Sequence, residues 1–435
     1  MFQKGLSSIV FFCVVFVNTA WNAAAQAPQE LYADGMQAVR QGRYQQALQN
    51  LQRAVALQPA YAKAHAAMGT IYLQLGDFPE SEKALTLALN INPNLIQAEA
   101  NLAALYTRTK RLDDAIRVYQ NLIRRQPESL QVRLGIASAY QQAERFPEAI
   151  EAYLESLKRS PNLAAAMTNL ASCYEAVEDD AQAVRYYKAA LAVEPNLPMA
   201  NGNLGAIYQE QGELDKALPL LETAIRQNPQ FTAARYRLGL VLTKKREFQR
   251  AAAEYQRVIA QKRDHVGAYY NLAQALFRLK KREEGKRAME AYHRLNEIAQ
   301  EIDTRERATL MEPSNPIQQY RLGLVYAKYG KMTEAISAFQ AALELDANAH
   351  YALNGLARLY ILQKIQLQDA VTYAEKAFRL SPAPQYLQTL ALAHLQTGQR
   401  EKALKAIYTA IEMEPKNEAF QQTLAQIRES DEKTK

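Results

Sequence analysis

Cysteine is almost missing from this chain of 435 residues: Cys13 and Cys173 are the only two. Cys13 lies inside an N-terminal apolar run. The remainder therefore holds one thiol and cannot close an internal disulfide, so its stability has to come from packing. Tryptophan occurs once, at Trp21, and histidine five times, at His65, His265, His293, His350 and His394. No two histidines stand at i, i+4 and no cysteine pair exists, which excludes the ligand spacing of a zinc site. A glycine-rich phosphate loop and a G-x-S-x-G elbow are absent as well. Beyond the N-terminus no segment approaches the roughly 20 apolar residues that span a bilayer. Metal, nucleotide and nucleophile-elbow chemistry thus find no support, and no cofactor is expected.

What is present begins with an ordinary folded composition, 49% hydrophobic and 22% charged. The opening residues, MFQKGLSSIVFFCVVFVNTAWNAAAQ, place Lys4 before an apolar run from Ile9 to Val17 and then the small residues Ala23, Ala24 and Ala25. This order predicts a secretory signal over residues 1–25, with cleavage after Ala25 and a periplasmic or secreted product. Cys13 has no small-residue lipobox immediately before it.

A period organises the rest. Pro59, Pro93, Pro127, Pro161, Pro195 and Pro229 follow one another at intervals of 34 residues. Proline stops a helix and turns its predecessor away from the helical region, so each marks the edge of a unit. Between prolines, two amphipathic stretches flank short turns such as QLGDF at Gln74, EQGEL at Glu210 and KYGKM at Lys328, the pattern of a helical hairpin. With proline at position 32, units begin at 28, 62, 96, 130, 164, 198, 232 and 266, then at 316, 350 and 384. Position 8 is Gly or Ala in all of them, from Gly35 and Gly69 to Ala357 and Ala391. Position 20 is small in most, as at Ala47, Ala149 and Ala403, and position 11 is commonly tyrosine, as at Tyr106, Tyr174 and Tyr326. Small residues held at fixed positions predict close helix crossings, with large side chains filling the space left over. Cys173 occupies position 10, which is apolar in nearly every unit, and is expected to act as a small buried hydrophobe.

These positions resemble the tetratricopeptide repeat family over residues 28–415. The resemblance implies an all-α, right-handed superhelical solenoid of about eleven helix-turn-helix repeats, each stabilised by its neighbours. The expected layout is a first block at 28–299, an extended helix and joint at 300–315, a second block at 316–417, and a capping helix and tail at 418–435. The joint is needed because the unit from Val266 runs 50 residues before the next begins at Pro316. KKREEGKRAMEAYHRLNEIAQEIDTRERATL reads as one long helix, weakened at Gly285. A smaller fault lies in the unit from His350, where an extra residue before Ala370 displaces the turn. Around the joint, Lys244 to Arg294 holds fourteen Lys or Arg against six Asp or Glu, a surplus of eight, in a chain whose whole net charge is +7.

Function follows from the second helical stripe. Asn101, Asn169, Asn203 and Asn271 all fall at position 6, beside positions 2, 5, 9 and 13, a stripe distinct from the packing stripe of 4, 7, 8 and 11. In the family the former lines a concave groove. Asn169, Asn203, Arg237 and Asn271 then resemble the asparagine ladder of the repeats attached to O-linked N-acetylglucosamine transferases, whose amides hold an extended peptide. The ladder is absent at Ala33 and Ala67 and broken at Gly135. Tyr236, Lys244, Tyr270, Arg278, Tyr320, Arg321, Lys328 and Arg358 continue the stripe, and their mix of ring and cation suits a segment with acidic and apolar side chains. The family's carboxylate clamp needs Lys at position 5 and Asn at position 9, which never occur together here. Repeats use nearly the whole chain, leaving no room for a catalytic domain. The expectation is a non-enzymatic scaffold that binds a protein or extended peptide in a cell-envelope assembly, without nucleic acid. The alternative is an adaptor in envelope polysaccharide secretion or cell-wall handling, with segment 244–294 against an anionic glycan or envelope surface.

Overall fold

The computed structural model of the chain describes residues 27–432, with side chains to Glu429. The expected signal sequence, with Cys13 and Trp21, lies outside them. Every regular element described is an α-helix, in a run of twenty-three from Pro28–Arg40 to Glu418–Glu432. Most first helices of a hairpin have 13 residues and the second helices 14, as in Ile96–Arg108 with Leu112–Arg125. No described helix is long and apolar enough to cross a membrane. The helices gather into two compact units, one ending at Gln261 and the other beginning at Lys262.

Each hairpin turns through one left-handed residue. The sites are Gly42, Gly76, Lys110, Glu144, Glu178, Gly212, Arg246, Lys280, Gly330, Lys364 and Gly398, which is position 15 of every unit. A positive φ is easy only for glycine, so six of the eleven turns carry strain in an L-residue. The extra residue of the His350 unit is absorbed at this point, by a second left-handed residue at Gln366. The loop after Leu380 is correspondingly shorter, with the next helix starting at Pro384.

Packing explains the small positions. A Cβ added to Gly69 would lie 2.6 Å from Leu85 Cγ, and one added to Gly239 or Gly323 would lie 2.5 Å from the ring of Tyr255 or Phe339. Position 8 thus meets position 24 of its own hairpin, where Tyr153, Tyr187, Tyr255 and Phe339 are fully buried. Burying a ring of that size contributes about 2 to 3 kcal/mol. Gly285 marks a close approach of the same kind: it stands at position 20, and a Cβ there would come within 2.6 Å of Phe277. The helix runs unbroken over Arg282–Met311, 30 residues. Cys173 is fully buried, and burial pushes its thiol up to about 11. The last helix is polar outward but buries Phe420, Leu424 and Ile427 against the preceding hairpin.

A second recurring contact joins successive units. At position 4, Arg133, Asn201 and Arg235 donate to the carbonyls of Pro127, Pro195 and Pro229, and His65 Nε2 lies 2.9 Å from the carbonyl of Pro59. Each partner is the boundary proline six residues earlier. The proline lies in the loop two residues past the end of one helix, and a side chain of the next helix takes up its carbonyl. Arg235 goes further: its guanidinium also meets Glu254 at 2.7 Å, with the two side chains only 8% and 12% exposed.

Candidate functional site

The position-6 residues of the first unit reach back into the preceding hairpin. Asn203 Nδ2 donates to the Tyr187 hydroxyl at 2.8 Å, and Tyr187 donates in turn to Glu175 at 2.9 Å. One hairpin earlier, Tyr153 donates to Gln141 at 2.9 Å. Burial pushes the Tyr153 hydroxyl up to about 12, and its hydrogen bond with Asn169 pulls the other way. Asn101 donates to Thr70 at 2.7 Å and accepts from Gln97. Arg237 performs the same reach with a longer side chain, to Gln209 at 2.8 Å and Glu210 at 2.6 Å. The break at Gly135 belongs to this scheme, since a Cβ there would lie 2.6 Å from the ring of Tyr119. Position 6 is thus a register contact between repeats, whatever else its amides do. Asn271 sits half-buried on Val266–Arg278 in the second unit.

Two cavities open on the groove stripe. In the first unit, one of about 610 Å³ is lined by Tyr32, Met36, Ala66, Ala67, Thr70, Gln97 and Asn101 among others. It exists because alanine replaces the larger groove residues at positions 5 and 6. Toward the C-terminal end of this unit, Tyr236 packs against Tyr255 with ring centres 6.0 Å apart, and Lys244 reaches the carbonyl of Gln209 at 3.5 Å. In the second unit, a cavity of about 400 Å³ is lined by Leu324, Gly355, Arg358, Leu362 and Leu392 among others. Ile317 and Leu324 are each 44% exposed and Leu362 is 62% exposed, all three at groove positions. Tyr320 and Tyr351 pack on one another with tilted rings, centres 4.8 Å apart. Positions 2, 5, 6, 9 and 13 of the four hairpins in this unit hold Arg278, Arg321, Lys328 and Arg358 and no Asp or Glu. Tyr270, against Tyr292, is exposed.

The basic segment is less free than its composition suggests. Lys245 pairs with Asp215, Arg250 with Glu222, Arg257 with Glu254, Lys281 with Glu284 and Lys286 with Glu283. Three of the histidines have packing or capping roles: His265 caps a helix, His350 meets the Tyr386 hydroxyl at 2.7 Å, and His394 is buried in the tyrosine position. Among the described residues no group of three His, Cys, Asp or Glu could hold a metal ion. Sequence reading missed the position-4 donors and the tyrosines at position 24. Both signals were present in the 34-residue register, as His65, Arg133, Asn201 and Arg235 six after a boundary proline and as Tyr255 and Phe339 facing a glycine.

Sequence models of the tetratricopeptide repeat match residues 38–109, five overlapping stretches from 101 to 292, then 319–348 and 384–417. The chain belongs to the tetratricopeptide repeat family. No curated protein matches it in sequence. Among solved structures it is similar to Pseudomonas aeruginosa pilF, at 19% identity over 46% of this chain and 91% of that one, with a TM-score of 0.43. It is also similar to MamA from Desulfovibrio magneticus RS-1, at 19% identity, 40% and 98% coverage and a TM-score of 0.38. Naa15/Naa10 bound to HypK-THB matches at 19% identity over 92% of this chain and 66% of that one, with a TM-score of 0.32.

Proposed function

We propose that this chain is a non-catalytic scaffold that is exported to the cell envelope and binds a protein segment on its groove stripe. The observation that carries the proposal is in the second unit. The exposed Leu324 and Leu362 line a cavity there, with Arg358 on its rim and no Asp or Glu at any groove position of the unit. Such a surface favours a segment that presents apolar side chains and acidic groups together: the apolar part supplies affinity, and the charge selects and orients. At the N-terminal end of the first unit the stripe also carries cations, Arg40, Lys63 and Arg108, beside Asn101 and Gln97, whose amides offer donors and acceptors to a peptide backbone. Export follows from the signal pattern of residues 1–25.

The test is capture from an envelope extract at low and high salt, beside an Arg358→Glu variant. A protein partner retained at high salt and lost with Arg358→Glu supports the groove. Capture that disappears with salt, is unaffected by Arg358→Glu and is competed by a soluble anionic polysaccharide would instead favour the glycan adaptor on segment 244–294.

A further inference from the structure

The long helix supplies the groove stripe of the second unit with a carboxylate, as Glu210 supplies one to Arg237 in the first. Its C-terminal half comes from the insertion that breaks the period, and it brings carboxylates to the first helix of the following hairpin. Lys328 Nζ donates to Glu301 at 2.8 Å, the Tyr329 hydroxyl donates to the same carboxylate, and Tyr326 donates to Glu306 at 2.6 Å. Lys328 is a groove cation at position 13, one helical turn beyond Leu324 on the wall of the cavity. Its charge is therefore already answered from within the chain. Arg358, on the rim of the same cavity, has no ion pair among the described residues.

We infer that Glu301 is an internal competitor for the acidic group of the groove's partner, holding Lys328 until that partner displaces it. The inference rests on the groove reading proposed above and adds a regulation to it. The pair is suited to exchange. Lys328 and Glu301 are 57% and 37% exposed, so water lowers the cost of separating them, and the lysine stem is long enough to swing toward a ligand. A buried pair could not be traded in this way. Because the competing carboxylate lies on the inserted helix, any change in how that helix sits would alter groove affinity without touching a groove residue.

The experiment uses the full chain and a fluorescein-labelled amphipathic peptide of leucine, alanine and glutamate, with a version carrying lysine for glutamate as control. Wild type, Glu301→Gln, Lys328→Gln, the double variant and Arg358→Glu are compared by fluorescence polarisation, with circular dichroism confirming equal helix content. The expected result is that Glu301→Gln binds the acidic peptide roughly two- to fivefold more tightly, the range an exposed ion pair can withhold. In the Lys328→Gln background the same change should have no effect. If the acidic peptide binds and Arg358→Glu abolishes it, but Glu301→Gln binds no tighter, the competitor is overturned and the groove stands. If neither wild type nor Glu301→Gln prefers the acidic peptide to the lysine control, both are overturned.

Discussion

Replacing Tyr187 with phenylalanine separates the two roles that the position-6 asparagines could have. The ring of Tyr187 is fully buried and keeps its place in the variant, so the change removes only a hydroxyl. That hydroxyl holds Glu175 at 2.9 Å and Asn203 at 2.8 Å. Losing one bond to a charged acceptor and one to an amide, with both partners half-buried and able to recruit water, should cost about 2 kcal/mol. The neighbouring change, Asn203→Ala, removes about 1 kcal/mol of hydrogen bonding but returns about 0.5 kcal/mol of helix propensity, so its net effect is small. The informative quantity is the double-mutant coupling between the two, which should be about 1 kcal/mol. A repeat array opens locally, so amide hydrogen exchange in helices Asp180–Val193 and Pro198–Glu210 is the suitable assay. Tyr187→Phe should speed exchange there roughly thirtyfold. Zero coupling, together with loss of partner capture in Asn203→Ala, would refute the register contact and return the asparagines to the role of ligand ladder.

Three further outcomes follow from the same geometry. Burial raises the Glu175 carboxyl above its ordinary value, and Glu210 and Asp180 add to the rise against the Tyr187 hydrogen bond and Arg237. Its contribution to stability is full below the unfolded carboxylate range and is lost as pH climbs through the raised folded value. Glu175→Gln, which copies the Gln141 of the preceding hairpin, should therefore gain on wild type at neutral pH, and the gain should shrink in urea melts as the pH falls through that window. Cys173, buried with its thiol held near 11, should resist a thiol reagent in a Cys13→Ser chain until denaturant opens its hairpin; labelling at the rate of an exposed thiol would contradict the packing. Glu144 turns its hairpin with φ of 56°, so Glu144→Gly should stabilise the chain by about 1 kcal/mol in thermal unfolding.

The fold was legible because its determinants repeat. One small residue is a coincidence, but Gly35, Gly69 and Gly205 at one position of the 34-residue register predict a close crossing, and the structure supplies the partners, Leu51, Leu85 and Leu221. The inserted helix was legible for the converse reason, since the register failed there while helical periodicity continued. The site was less so. Sequence places Asn203 on the groove stripe but cannot show that a tyrosine 16 residues earlier lies within 2.8 Å of its amide, because that contact crosses from one hairpin to the next. The cavity at Ala66 and Ala67 was hidden by the same logic: Ala67 reads as a missing rung of the ladder, whereas in space it is part of the opening. Glu301 is the limiting case, because it lies in the one stretch with no repeat to compare it with. Repetition reveals what every unit shares, and a partner must be recognised by what the units do not share. The residues that depart from the register, Arg358 beside Gly355 and Glu301 beside Lys328, are therefore where specificity should be sought.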